Sequence, residues 1–143
     1  MTSNPDHLSS CRRAARRGAV TVEFALVAPI FFMFVLGVVE FTRAMMVESL
    51  LTNAAHLGAR AGIIDSAQTS DVTTAVTNYL SGAGISGTTI SVTPSPPSSA
   101  GYGQNVTVKV SVPYSSVSWL PAPEYLKSVN LTATSIMRRE TVQ

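Results

Sequence analysis

Residues 24–39 read FALVAPIFFMFVLGVV, a run without a single charge. Adding Ala19 to Val22 brings the stretch to the ~20 residues that cross ~30 Å of hydrocarbon as a helix. Pro29 lies inside it. Proline breaks a helix in water but is tolerated in a bilayer, where neighbours re-satisfy the freed carbonyl. A buried core helix of a soluble domain is the competing reading. Phe31, Phe32, Met33, Phe34, Val35 and Leu36 leave no polar face, which favours lipid. The stretch predicts a transmembrane helix over residues 19–40.

Upstream, residues 1–18 are polar and carry Pro5, Gly18 and a basic cluster, Arg12, Arg13, Arg16 and Arg17. Their composition predicts a disordered cytoplasmic leader. Basic residues before a span and a negative balance after it (Glu40, Arg43, Glu48) put the N-terminus in the cytoplasm. The expected location is the cytoplasmic (inner) membrane, single-pass, with the C-terminal part outside. The net charge of +2 and the lack of aromatics among the arginines argue against nucleic acid. Cys11 is the only cysteine, so no intrachain disulfide can form. Leu8-Ser9-Ser10-Cys11 superficially matches a lipoprotein acylation box, but no apolar stretch precedes it.

Downstream, residues 40–64 (EFTRAMMVESLLTNAAHLGARAGII) continue the helix, and 41–64 form an amphipathic extension. Phe41, Met45, Leu51 and Ala55 recur at helical spacing. Ala55, Gly58, Ala59 and Gly62 lie three or four apart and form a face of small residues, which admits a close approach by a helix or sheet. Residues 65–143 form an extracytoplasmic domain. A short helix is predicted over Asp71–Ser81, capped by Ser70 or Asp71 and ended by Gly82 and Gly84. The period then changes to two. Strands are predicted over Thr88–Thr93, Val106–Val112 and Ser128–Met137, the last with its alternation broken at Ala133. Residues 94–103 and 120–123 read as loops. The expected class is α+β, pilin-like: a long helix packed on a small antiparallel sheet of about three strands.

Chemistry concentrates at the leader boundary, Arg16-Arg17-Gly18-Ala19-Val20-Thr21-Val22-Glu23-Phe24. A basic leader ends in glycine, and a glutamate follows five positions later inside the apolar run. This resembles a prepilin (class III) signal. The resemblance implies that a prepilin peptidase cuts between Gly18 and Ala19, leaving the apolar segment on the mature protein. A glycine before the bond suits a protease that needs an extended backbone there. Glu23 in a bilayer costs up to ~2.5–3.5 kcal/mol at its centre, so it calls for a partner. In pilins, the resemblance implies, that partner is the new terminal amine of a neighbouring subunit. The bland alternative leaves Glu23 solvated at the headgroups.

The resemblance narrows with Gly-Ala-Val-Thr-Val-Glu-Phe-Ala-Leu-Val-Ala-Pro-Ile over 18–30, then Gly37, Glu40 and Ala59-Arg60-Ala61-Gly62. These residues are similar to the TadE-like family, pseudopilins of tight-adherence (Flp) pilus systems. The family implies a non-catalytic membrane component that assembles laterally with other pilin-like or Tad subunits. No Cys or His pair has ligand spacing, His7 and His56 being the only histidines, so no metal or cofactor is expected. Gly82-x-Gly84-x-x-Gly87 follows a helix and precedes a strand, the reverse of a nucleotide-binding loop. Ser-rich loops without a base are not nucleophiles, and no small-molecule substrate is evident. Two alternatives stay open: a signal-anchored binding module with an uncleaved N-terminus, and a secreted protein cleaved by signal peptidase. The second lacks an Ala-x-Ala site just beyond the span.

Overall fold

The computed structural model describes residues 5–119 and 128–140, with side chains from Val20 onward. The predicted loop at 120–123 lies outside the described residues, as do Met1–Asn4 and the side chains of the four arginines. The chain divides into two compact units, Met1–Val39 and Glu40–Gln143.

Helix α1 spans Pro5–Gly62 and contributes to both units. It starts at Pro5, where sequence composition predicted disorder up to Gly18. Proline is pre-organised for a first helical position. Leu8, the arginines and the paired Ala14 and Ala15 are strong helix formers, and lengthening an existing helix avoids the nucleation cost. In the first unit Phe24, Leu26, Ile30, Met33 and Phe34 of α1 are all exposed. The stretch Val20–Gly62 of α1 is long and apolar enough to cross a membrane, and its most apolar window has no residue buried within the protein. A core helix of a soluble domain would be buried.

The second unit is a helix pair on a sheet. Helix α2 (Thr69–Gly82) begins two residues earlier than predicted. Gln68 is its cap, and the Asp71 carboxylate accepts the Gln68 backbone N–H at 2.8 Å. At its end Ile85 N–H donates to Leu80 O and Gly84 N–H to Ser81 O. That pattern is a Schellman stop, and Gly84 takes the required left-handed conformation at φ 73°. Strands β1 (Thr89–Thr93), β2 (Asn105–Pro113) and β3 (Asn130–Arg138) form an antiparallel sheet in the order β1-β2-β3. Single 3-10 turns at Pro97–Ser99 and Tyr114–Ser116 lie before and after β2.

The core is built from small apolar residues. Val106, Val108, Val110 and Val112 of β2 are fully buried, facing Val47, Leu51, Ala55 and Ala59 of α1 and Val72, Val76 and Leu80 of α2. Phe41 and Met45, expected on the packing face, are exposed. At ~100° per residue, Phe41 and Met45 lie roughly 80° and 120° around the helix from Leu51, toward the margin of the buried stripe. Ala133, read from sequence as a break in the alternation of β3, points inward with Leu131, Ser135 and Met137 and preserves that alternation. The residue out of character is Ser135, 3% exposed, whose Oγ lies 3.0 Å from His56 Nδ1. The outer sheet face carries hydroxyls around Lys109: Thr89, Ser91, Thr93, Thr107, Ser111, Thr132 and Thr134.

Arg139, just past β3, ties this unit together. It is 5% exposed. Its Nη1 donates to Ser98 O at 2.7 Å and Ala100 O at 2.8 Å, and its Nη2 pairs with Asp65 at 3.1 Å. The guanidinium therefore joins the α1–α2 connection, the loop before β2 and the end of β3. Asp65 is largely exposed, so the ion pair itself contributes little. The stranded carbonyls matter more. Arg139→Met is expected to destabilise the protein by about 3 kcal/mol, from two lost charge-assisted bonds. Thermal unfolding of the full chain in detergent checks this.

Candidate functional site

Gly18 and Ala19 lie within α1. A cut between them would require local unwinding, which glycine makes cheaper by ~1 kcal/mol relative to alanine. Glu23 is exposed and has no hydrogen-bond or ion-pair partner among the described residues. Around it, Val20, Val22, Phe24, Leu26 and Val27 are exposed as well. Among the described side chains, residues 20–39 thus present an apolar helical surface with one carboxylate.

The small-residue face is packed inside the second unit. Ala55 and Ala59 are fully buried. A Cβ on Gly58 would lie 2.6 Å from Val76 Cγ2, 3.2 Å from Val108 Cγ1 and 3.3 Å from Val72 Cγ1. One on Gly62 would lie 3.1 Å from Val106 Cγ1. These residues bring α1 against α2 and β2. These residues and Glu23 belong to different units.

One constellation was not legible beforehand. Glu40, the first residue of the second unit, accepts hydrogen bonds from the Tyr114 hydroxyl at 3.0 Å, the Ser118 hydroxyl at 3.1 Å and the Trp119 backbone N–H at 3.1 Å. Arg43, one turn later, donates from Nε to Val117 O at 3.4 Å, and its guanidinium lies 4.8 Å from the centre of the Trp119 ring. The segment after β2 is thereby fastened to the start of the domain. In the sequence Glu40 stands out only through the charge balance and the family pattern. Its partners lie 74–79 residues away, beyond the reach of periodicity.

Burial, and then the Glu40 hydrogen bond and charge, push the Tyr114 phenol above the ordinary tyrosine range. A raised value means that the folded state holds the proton more tightly. The stability it contributes is complete below the ordinary range and is lost as pH rises through the raised value. The clamp is therefore expected to hold across neutral pH and to loosen only in strong alkali. In an absorbance titration, Tyr114→Phe should remove a late phenolate step. Glu40→Ala removes the acceptor of three donors and should cost about 2 kcal/mol. It should also free the Trp119 backbone, seen as lower fluorescence anisotropy. Glu40→Gln, which keeps one acceptor oxygen, should cost less.

Among the described residues no group of three or more His, Cys, Asp or Glu could hold a metal ion. His56 is an exposed helix residue whose ring meets Ser135. Residues 18–60 match the family model TadE, described as TadE-like protein, the same family that the leader and helix motifs resemble. No curated protein and no solved structure matches the chain.

Proposed function

From the TadE-like segment at residues 18–60, we propose that the protein is a pilus-associated, non-catalytic component of a Tad assembly machine in the cytoplasmic (inner) membrane. The arginines hold the leader in the cytoplasm. A prepilin peptidase cuts after Gly18, and Ala19 becomes the N-terminus. The apolar helix then packs laterally with other pilin-like or Tad subunits, and Glu23 meets a terminal amine. The domain from Glu40 onward faces outward.

The observation that carries this reading is the coincidence of the family segment with a helical stretch, residues 20–39, that is apolar and exposed. The small-residue face is already filled by α2 and β2, so lateral contacts are assigned to the apolar segment and not to Ala55, Gly58, Ala59 and Gly62. Glu23 suits an intermolecular partner because it sits exposed within that segment. An unpaired carboxylate there would be costly.

The test is the N-terminal sequence of the protein recovered from membranes, in cells with and without a prepilin peptidase. A start at Ala19 only when the peptidase is present is the expected result. An intact leader in both strains would sink the pseudopilin reading and favour the signal-anchored binding module.

A further inference from the structure

We infer that the end of the domain carrying Glu40 is a lipid-binding surface, with Trp119, Phe41, Met45 and Met46 seated in the headgroup layer and Arg43 placed to meet lipid phosphate. This rests on the reading of the apolar segment as a membrane span. Glu40 follows Val39 directly, so the first turns of the domain begin where the apolar run ends. Phe41 (67% exposed), Met45 (51%) and Met46 (55%) lie in those turns. Farther along α1 the exposed positions turn polar: Glu48, Ser49, Thr52, Asn53, His56 and Arg60, with Leu57 the apolar exception.

Trp119 comes from a distant part of the chain and is brought to the same level. It is held at two points, by its backbone N–H on Glu40 and by its ring against Arg43. Its side chain nevertheless stays out of the core, at 71% exposed. An indole has an apolar body and a polar N–H, the combination that concentrates at membrane–water boundaries. A guanidinium stacked on an indole stays charged and attractive to an anionic headgroup.

The arrangement points to a layer rather than to a single partner helix. Met45 and Met46 are rotated about 40° and 140° from Phe41. Trp119 covers the side of Glu40 and Arg43. The apolar groups therefore lie on several sides of the helix within about 8 Å of its length. A partner helix would need them on one side, whereas a bilayer boundary meets all sides equally.

The chain has one tryptophan, so its fluorescence reports this site alone. The full-length protein is reconstituted into vesicles of phosphatidylethanolamine and phosphatidylglycerol, with lipids brominated either near the headgroup or deep in the acyl chain. Trp119 should be quenched several-fold more strongly by the shallow bromines than by aqueous iodide, and more by shallow than by deep ones. In a Trp119→Phe background, Phe41→Trp should behave the same way, and Phe31→Trp should be quenched best by the deep bromines. The inference is overturned if Trp119 is quenched by iodide but not by bromines while the Phe31→Trp variant still reports the deep bilayer. Protection of Trp119 from both quenchers would also overturn it, and would point to a protein partner. If the Phe31→Trp variant shows no deep quenching, the span itself is wrong and the lipid surface falls with it.

Discussion

Gly58→Leu in the full chain should abolish the cooperative thermal transition of the domain in detergent, whereas Gly37→Leu should leave that transition in place. Both glycines are in α1, so the difference cannot come from helix propensity. It comes from what surrounds them. A Cβ at position 58 meets Val76 and Val72 of α2 and Val108 of β2 at 2.6–3.3 Å, and all three valines are fully buried. A Cβ at Gly37 meets nothing within 4 Å. Inserting methylenes into a packed core costs about 1–3 kcal/mol, and leucine adds several carbons where even the first does not fit. A small domain is stable by only about 5–15 kcal/mol, so a penalty beyond the usual overpacking range is enough to remove the cooperative fold of a domain near the lower end. The graded variants make the argument quantitative. Gly58→Ala recovers about 1 kcal/mol of helix propensity but should still be destabilising, because its nearest neighbour must move. Gly62→Ala has its closest contact at 3.1 Å and should be near neutral. Near-UV circular dichroism melts give the order directly. Equal melting points for Gly58→Ala and Gly62→Ala would refute the close packing.

The same residues show what the sequence could and could not reveal. The spacing of Ala55, Gly58, Ala59 and Gly62 announces close packing, because only small side chains let backbones approach. It does not say against what, and the answer is a helix and strand of the same domain. The span was legible because sixfold apolar runs such as Phe31–Leu36 have no soluble explanation that leaves them uncovered. Strand positions were legible from valines at alternate positions in β2, since a period of two admits one buried face. Ser135 and Ile136 were harder to place. Their burial is inverted relative to their polarity, and only the contact with His56 explains why the serine can go inside. The Glu40 clamp was the least legible feature. A carboxylate looks the same in sequence whether it caps a loop or faces solvent, and its donors sit in a loop after β2 that has no periodic signature.

If the proposed processing is correct, Gly18→Arg should leave the leader on every molecule, while Glu23→Gln should leave cleavage intact and abolish assembly. The two substitutions separate steps that a simple loss of pili would merge. Gly18 and Ala19 are helical, and a peptidase must open that turn to reach the bond. Arginine stabilises the turn relative to glycine by close to 1 kcal/mol and places a long side chain beside the scissile bond. Both effects oppose cleavage. Glu23 is several residues downstream and does not touch the bond. Its replacement by glutamine removes the charge while keeping the shape, so the mature helix still forms and still inserts. What disappears is the attraction to a terminal ammonium in a low-dielectric surrounding, where such pairs count most. Mass spectrometry of the membrane-extracted protein reads the first step, and co-purification with tagged Tad subunits reads the second. An assembled Glu23→Gln protein would remove the glutamate from the mechanism and leave apolar contacts such as Phe24, Leu26 and Ile30 as the basis of lateral packing.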